Sequence, residues 1–353
     1  FGALGLEIIS GIKKIFQTQQ PVIIYSASGT GAWEGAMVNV LEPGDQVLFY
    51  ETGQFANLWR ALAQRLGLNV EVVGRAGQDT WRWGIDAAVI EERLLKDTQH
   101  EIKAVCVVHN ETSTGVTSNI AAVRQAIDAA KHPALLIVDS VSGMGAAEYR
   151  HDEWGVDVTV SGSQKGLMLP PGIGFNAVSE RAIEVSKRNQ TRKSYWAWDE
   201  ILESNKTGFW PTTPSTNLLY GLHEATDMML AEGLEAIFAR HQRLASACRL
   251  AVQAWGLENQ SLDSDAYSPV LTCVALPEGM NADKLRHHAL EKFNLSLGTG
   301  LGKLKGKAFR IGHLGDCNDL SLMAALSGVE MSLESMGFKP KASGVVAAQD
   351  FLK

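Results

Sequence analysis

The stretch Val156–Gly172, VDVTVSGSQKGLMLPPG, contains the features that decide the fold class. The apolar residues up to Val160 predict a buried strand, and small residues follow it until two prolines end the segment. A single lysine, Lys165, stands among these small residues where the strand should end. A lysine on an open surface needs no such clearing. We therefore expect Lys165 to approach a flat ligand at a strand end.

Upstream of this stretch, short apolar runs alternate with amphipathic segments. Buried strands are predicted at Pro21–Tyr25, Gln46–Tyr50, Ala104–Val108 and Ala134–Val138, and helices at Gly31–Leu41, Phe55–Leu66 and Asn119–Lys131. Strands that are apolar on both faces are typical of a mainly parallel sheet covered by helices on both sides. The sequence therefore predicts an α/β layered domain.

The second half of the chain has a different make-up. The segment from Leu218 to Gly256 is predicted to be helical, with a break near Gly233. After about residue 261, strands at Val270–Ala275 and Ala308–Ile311 mix with helices at Ala282–Phe293 and Leu320–Met336. We expect a large domain over residues 1–235 and a smaller C-terminal α+β domain over residues 236–353.

Composition excludes several classes of protein. The 353 residues carry 32 basic and 39 acidic side chains, for a net charge of -7, without a basic block, so nucleic-acid binding is not expected. No apolar run has the length of a membrane helix, and no charged-then-apolar leader follows Phe1. The four cysteines are scattered, which indicates free thiols in a reducing, cytoplasmic location and no metal site.

Polar residues follow four of the predicted strands. These are Ser26–Gly31, His109–Thr112, Asp139–Ser140 and Ser161–Lys165. In open parallel sheets, ligands bind outside the carboxyl ends of the strands. We therefore expect these four segments to converge on one site.

Three of these segments together suit pyridoxal phosphate. Its aldehyde needs an amine, which Lys165 supplies, and its ring nitrogen needs an acid, which Asp139 supplies. Its phosphate needs an anion cradle, which the Ser28–Thr30 turn can form at a helix start, with Ser163 and Gln164 in reach. Alternatives remain for each residue taken alone: an ordinary helix cap for Ser28, a turn cap or an ion pair for Asp139, and a solvated lysine.

A fifth candidate lies in the smaller domain. Arg310 interrupts the apolar strand Ala308–Ile311, and its planar fork can bind a carboxylate through two hydrogen bonds. A structural ion pair explains the same residue equally well. An amino-acid substrate would favour the first interpretation.

The motifs resemble a known family. SASGTGAWEGAM, GQFANLW, VVHNETSTGV, VDSVSG, DEWGVDVTVSGSQKGLMLPPG, EGLEAIFARH and FRIGHLGD are similar, in order and along nearly the whole chain, to class V, fold-type I pyridoxal-phosphate aminotransferases. Within that family the likeness is greatest to the serine–glyoxylate and alanine–glyoxylate group. The resemblance implies an α/β fold with a mainly parallel seven-stranded sheet and a smaller C-terminal α+β domain.

The resemblance also implies roles for individual residues. Lys165 would bond the cofactor covalently, and Asp139 would pair with its ring nitrogen. Arg310 would hold the substrate carboxylate. The remaining residues would contact either the phosphate or the ring of the cofactor. Those at the phosphate would be Ser28, Gly29, Thr30 and Gln164, and those around the ring would be Phe55, Thr112 and Val141.

Family members are homodimers with shared active sites. The segment Phe209–Pro214 is similar to the part that crosses to the neighbouring subunit, so Thr212 or Thr213 would touch the neighbour's phosphate. Phe209 stands where some relatives have a tyrosine. Relatives also carry a few dozen further N-terminal residues, including a Pro/Gly-rich loop near the substrate.

The activity implied by the resemblance is transamination from a small L-amino acid to glyoxylate, which gives glycine. Serine, giving hydroxypyruvate, is the preferred donor, and alanine or aspartate are the alternatives. A cysteine desulfurase would need an exposed nucleophilic cysteine in a flexible loop, which the sequence does not offer. A dinucleotide-dependent dehydrogenase is disfavoured, because the turn after the first strand lacks the GxGxxG pattern.

Overall fold

The computed structural model describes residues 1–77 and 79–353. In chain order the strands are β1 (Val22–Tyr25), β2 (Gln46–Tyr50), β3 (Asn69–Val73), β4 (Ile102–Val108), β5 (Asn110–Glu111), β6 (Val116–Thr117), β7 (Leu135–Asp139), β8 (Val158–Gly162), β9 (Gly174–Val178), β10 (Glu258–Asn259), β11 (Leu271–Ala275), β12 (Gly298–Thr299) and β13 (Ala308–Gly312). The four strands predicted in the first half are confirmed, with ends that shift by at most two residues.

The helices are α1 (Gly2–Ile15), α2 (Gly29–Val40), α3 (Gln54–Arg65), α4 (Ala87–Lys96), α5 (Ile120–Ala129), α6 (Glu180–Arg188), α7 (Trp198–Asn205), α8 (Thr216–Glu232), α9 (Leu234–Trp255), α10 (Ala282–Phe293), α11 (Asp319–Ser335) and α12 (Gly344–Leu352). Short 3-10 turns occur at Thr80–Arg82, Ser264–Ala266 and Gly302–Leu304. The predicted break between two long helices falls at Gly233, whose φ of 86° suits a glycine.

A seven-stranded sheet forms the larger part of the fold, in the order β1-β9-β8-β7-β4-β2-β3. β9 is antiparallel to both of its neighbours, and the other neighbouring pairs are parallel. β1, β4, β7 and β8 therefore run in the same direction. Their carboxyl ends lie at one edge of the sheet, as the sequence predicted.

Helices cover both faces of this sheet. One apolar core joins the sheet to α1, α4, α5 and α8, through residues such as Ile12, Ile127 and Leu222. A second core joins the opposite face to α2, α3, α6 and α7, through residues such as Trp59 and Trp198. This two-sided cover explains why the central strands are apolar throughout.

The C-terminal part has its own sheet and core. β10, β11, β13 and β12 form a four-stranded antiparallel sheet, in that order. An apolar cluster that includes Leu244, Trp255, Phe309 and Leu326 packs this sheet against α9 to α12. The strand β13 places Arg310 at the boundary with the larger sheet.

Within the described residues, no helix combines the length and the apolar character that a membrane crossing requires. The four cysteines are free thiols there, three of them buried and Cys317 partly exposed. That they are free thiols agrees with the prediction.

Candidate active site

A cavity of about 180 Å³ lies at the carboxyl ends of β1, β4, β7 and β8. It is lined by the nine residues that the family resemblance implied as cofactor contacts within one chain, which are Ser28, Gly29, Thr30, Phe55, Thr112, Asp139, Val141, Gln164 and Lys165. Trp33, Asn110 and Ser142 complete the lining. The predicted convergence of four strand ends is therefore present in the structure.

Lys165 stands in a tight turn after β8. The backbone N–H of Met168 donates to the Lys165 carbonyl at 3.0 Å, and Met168 adopts a left-handed φ of 62°. Burial lowers the pKa of the lysine, the nearby Arg310 lowers it further, and Asp139 acts in the opposite direction. An amine with a lowered pKa is a better nucleophile near neutral pH.

The small neighbours of Lys165 have a packing role that the sequence did not disclose. A Cβ at Gly166 would lie 2.3 Å from the carbonyl oxygen of Met144. The turn can approach the loop after β7 only because this position has no side chain. The clearing around Lys165 thus serves the contact between two loops at least as much as access to a ligand.

Asp139 ends β7 and is 3% exposed. Its Oδ1 accepts a hydrogen bond from the Val141 N–H at 2.7 Å, and its Oδ2 accepts one from the Trp33 indole Nε1 at 3.0 Å. Burial raises its pKa to about 7, against the opposing effect of these hydrogen bonds. The bond to Val141 is the turn cap that the sequence left open, and it coexists with a place in the cavity wall.

Ser28 is the N-cap of α2, and its Oγ accepts from the Gly31 N–H at 3.5 Å. The long distance makes this cap weak, so both interpretations of Ser28 as a cap and as a cavity residue have support. The first-turn N–H groups of α2 and the Thr30 hydroxyl, which lines the cavity, form the start of an anion site.

Glycine at position 29 is required by close packing in the cavity wall. A Cβ there would lie 2.6 Å from Cγ2 of Val141. Gln164 lies nearby, and its buried Oε1 has no hydrogen-bond partner within residues 1–77 and 79–353. Such an orphaned polar atom in a cavity wall is expected where a ligand completes the hydrogen bonding.

Arg310 reaches the rim of the site from the small sheet. Its Nε donates to the Thr299 carbonyl at 2.8 Å, and its Nη1 donates to the Thr112 carbonyl at 2.9 Å. No carboxylate of the described chain lies within ion-pair distance of it, so the structural ion pair allowed by the sequence is not formed. Among the described residues, two of its five N–H donors are used, and three remain for a ligand.

Three residues that the sequence suggested as cofactor contacts do not line this cavity, namely Ser163, Thr212 and Thr213. The Ser163 hydroxyl donates to the Pro170 carbonyl at 2.8 Å and accepts from the Ile173 N–H, so it closes its own loop and does not line the cavity. The structure thus gives Ser163 a role within its own loop and does not support the phosphate contact considered from the sequence. Thr212 and Thr213 are exposed and lie outside the cavity of their own chain.

Sequence reasoning gave no individual role to Trp33, Asn110, Glu111 or Ser142, although the segment His109–Thr112 was expected at the site. Asn110 donates to the Ser142 hydroxyl at 2.8 Å and accepts from the hydroxyls of Thr117 and Ser268, each at 2.6 Å. It thereby joins the loop after β7 to the small domain. All four residues lie inside or next to the quoted motifs, which is the signal that could have found them.

Comparison with known proteins decides the family. The family described as aminotransferase class-V matches residues 7–301, which is most of the chain. The chain is a class V aminotransferase. The alternative of a dinucleotide-dependent dehydrogenase is thereby removed.

Individual relatives span nearly the whole of this class V aminotransferase. It is 47% identical over 360 residues to a serine–glyoxylate aminotransferase of Methylorubrum extorquens, covering all of the chain and 89% of the relative. It is 43% identical to an L-aspartate–glyoxylate aminotransferase of Paracoccus denitrificans, covering 99% of the chain and 88% of the relative. The solved pyridoxamine–pyruvate aminotransferase of Mesorhizobium loti has the same fold, with a TM-score of 0.91, 28% identity, and coverage of 100% and 89%.

Class V aminotransferases work with pyridoxal phosphate, and the residues present fit this group. The cavity offers an amine, a buried carboxylate and a helix start at three separate corners. Gln164, whose Oε1 has no hydrogen-bond partner among the described residues, lies in the wall of this cavity. Gly29, whose lack of a side chain leaves room for Val141, lies in the same wall. The predicted cofactor is therefore confirmed by the family and consistent with the chemistry of the site.

Proposed function

We propose that this aminotransferase transfers the amino group of L-serine to glyoxylate, giving hydroxypyruvate and glycine. The observation that carries the proposal is the single cavity that unites Lys165 with Asp139 and has Arg310 at its rim. The likeness to serine–glyoxylate aminotransferases supports serine as the donor.

The cofactor, when bound, supplies an aldehyde for the amino group and a ring that withdraws the electron pair left on the α-carbon. Lys165 would hold the cofactor through Nζ and, once released, would take the proton from the α-carbon of the donor. Asp139 would keep a proton on the ring nitrogen. Ser28, Gly29, Thr30 and Gln164 would hold the phosphate, while Phe55, Val141 and Thr112 would hold the ring.

Arg310 would bind the carboxylate that serine, glyoxylate, hydroxypyruvate and glycine all share. The three free N–H groups of its guanidinium suit this ligand, since two of them can bind one carboxylate in parallel. Because every reactant carries the same group, one arginine can serve both half-reactions. The amino group leaves serine in the first half and arrives on glyoxylate in the second.

The charge of the cavity favours a donor with an uncharged side chain. Of the described residues that line it, Lys165 is the one cation, and Arg310 is taken up by the shared carboxylate. An aspartate donor would bring a second carboxylate, which needs a further cation. The likeness to the aspartate-specific relative keeps aspartate as the second candidate.

Three measurements test this proposal. The purified protein should be yellow, and borohydride should fix the cofactor to the peptide that contains Lys165. Lys165→Ala should bleach the colour and abolish turnover, and a colourless protein that takes up no pyridoxal phosphate would exclude the site assignment. Assays with serine, alanine and aspartate, each with glyoxylate, identify the donor. Faster turnover with aspartate than with serine would make aspartate the assigned donor.

A homodimer with shared active sites is part of the same proposal. It is supported by the exposed position of Thr212 and Thr213, far in sequence from the cavity residues and next to Phe209, which is 50% exposed. Alone, the Lys165→Ala chain should be inactive and a Thr212→Ala/Thr213→Ala chain only weakly active. After co-refolding, a mixed dimer contains one intact site, so activity should return. Continued inactivity in a mixed dimer, or a monomer in sedimentation equilibrium, would contradict the shared site.

A further inference from the structure

Trp33 makes a buried contact with the carboxylate that faces the cavity. Its indole Nε1 donates to Oδ2 of Asp139 at 3.0 Å, and the two residues are 4% and 3% exposed. Trp33 also lines the cavity itself. Trp33 therefore connects the packed core to the ligand side of the cavity wall.

Neighbouring rings hold the indole of Trp33 in place. It stacks on Trp59 with the ring centroids 5.8 Å apart and the planes at 9°. Trp59 in turn meets Phe49 edge-on, at 5.3 Å. Because the plane of the indole is fixed, the direction of its N–H group is fixed as well.

This hydrogen bond favours the ionised form of Asp139. Both of its carboxylate oxygens accept from N–H donors, Oδ1 from Val141 and Oδ2 from Trp33, an arrangement that suits a carboxylate, which only accepts. Burial and the nearby Glu111 favour the neutral form, while Lys165 and the two hydrogen bonds favour the charged form. Loss of the Trp33 donor would release one oxygen and shift the balance toward the neutral acid.

We infer that Trp33 is a positioning residue for the ring nitrogen of the cofactor, acting through Asp139, whose ionised form it favours and which it holds in one orientation. The inference rests on the proposed function, in which Asp139 pairs with that nitrogen. Trp33 thus contributes to cofactor binding through the hydrogen-bond donor of its ring and not only through its surface.

The chain offers a matched control. Trp59 belongs to the same stack, but its buried indole N–H has no hydrogen-bond partner within residues 1–77 and 79–353. Trp33→Phe and Trp59→Phe therefore remove the same atoms from one aromatic stack, and only the first removes a hydrogen bond to Asp139. Thermal unfolding without cofactor measures the packing loss that the two changes share.

The test compares the affinities of two ligands by equilibrium dialysis against the cofactor-free protein. One ligand is pyridoxal phosphate, and the other is its analogue with a C–H group in place of the ring nitrogen. We expect Trp33→Phe to weaken pyridoxal phosphate binding about tenfold relative to Trp59→Phe, as loss of a hydrogen bond to a charged group implies. For the analogue, the two variants should bind within about twofold of each other.

Two outcomes overturn the inference while the wild-type protein still binds pyridoxal phosphate. Equal binding of that ligand by the two variants would show that the N–H donor is unimportant, and an equal loss for both ligands would show that Trp33 only shapes the cavity. A wild-type protein that binds neither ligand would refute the proposed function instead. If Trp33→Phe does not fold, 3-benzothienylalanine at position 33 removes the N–H and keeps the bicyclic shape.

Discussion

Arg310 of the small sheet donates through Nη1 to the backbone carbonyl of Thr112, at 2.9 Å, beside the large-sheet cavity. A second bond, from Nε to the Thr299 carbonyl, fixes the other side of the guanidinium. Backbone carbonyls orient the fork without neutralising its charge. The arginine therefore arrives at the site preorganised and able to bind an anion.

Replacement of Arg310 by lysine should weaken the binding of the substrates and leave the binding of the cofactor unchanged. Lysine cannot form the two parallel bonds of the fork, so we expect the KM for serine and for glyoxylate to rise at least roughly tenfold. The affinity for pyridoxal phosphate should change little. Arg286→Lys is the control, because Arg286 donates to the Leu297 carbonyl and Asp283 within the small domain. Unchanged KM values in the Arg310 variant would remove the assignment.

Alanine at position 29 should disturb the cavity through one neighbour. Its Cβ would lie 2.6 Å from Cγ2 of Val141, and the stiff valine side chain cannot turn away freely. We expect Gly29→Ala to weaken cofactor binding and to lower stability by about 1–3 kcal/mol. Val141→Ala should restore most of this stability in the double variant. If the double variant loses as much stability in urea unfolding as the two single variants together, residues 29 and 141 are not coupled.

Asp139 should make the stability of the cofactor-free protein depend on pH. Its pKa rises from 3.8 to about 7 on folding, so the folded state retains a proton that the unfolded state loses. Its contribution to stability is present below about pH 4 and is lost as the pH rises to about 7, by at most roughly 4 kcal/mol. Asp139→Asn cannot titrate, so the variant should lack this decline. Urea unfolding between pH 4 and 8 would test this, and parallel curves for both proteins would contradict it.

The large sheet and the place of the site could be predicted well from the sequence. Apolar runs and the polar residues that end them are local signals, which a single sequence contains. Pro21–Tyr25 and Ala134–Val138 lack polar residues between their ends, which left little alternative to buried strands. β9, Gly174–Val178, was not predicted, since a glycine and an asparagine interrupt its apolar residues. Its asparagine accepts from the Tyr25 hydroxyl and donates to the Ala32 carbonyl, and both of these partners are far away in sequence.

The contacts that the sequence could not give are those between distant elements. From the sequence, Trp33 is expected to be a core residue of a helix. Its hydrogen bond to Asp139 depends on how α2 packs on the sheet. Gly166 reads as clearance for a ligand, whereas its nearest neighbour is the Met144 carbonyl. Both cases depend on the packing of segments that are far apart in sequence, for which a single sequence carries no periodic signal.

Glu111 supplies the cap of a helix to which it does not belong. Its carboxylate accepts from the N–H groups of Phe55 and Ala56, at 3.2 Å each, in the first turn of α3, and from Ser113. Gly53, at the start of that helix, has no side chain, and a Cβ there would lie 2.4 Å from Cγ of Glu111. A carboxylate at this position also interacts favourably with the helix dipole. The cap fixes Phe55 at the cavity.

Glu111→Gln should therefore destabilise the protein although the shape is kept. The glutamine NH₂ group would face N–H and O–H donors, which leaves buried donors unpaired at a cost of about 1–3 kcal/mol. Cofactor affinity should fall with it, because Phe55 lines the cavity. Glu92→Gln, at an exposed pair with Lys96, is the control and should change stability by less than about 0.5 kcal/mol. If both variants unfold at the same urea concentration, Glu111 does not act as the cap of α3.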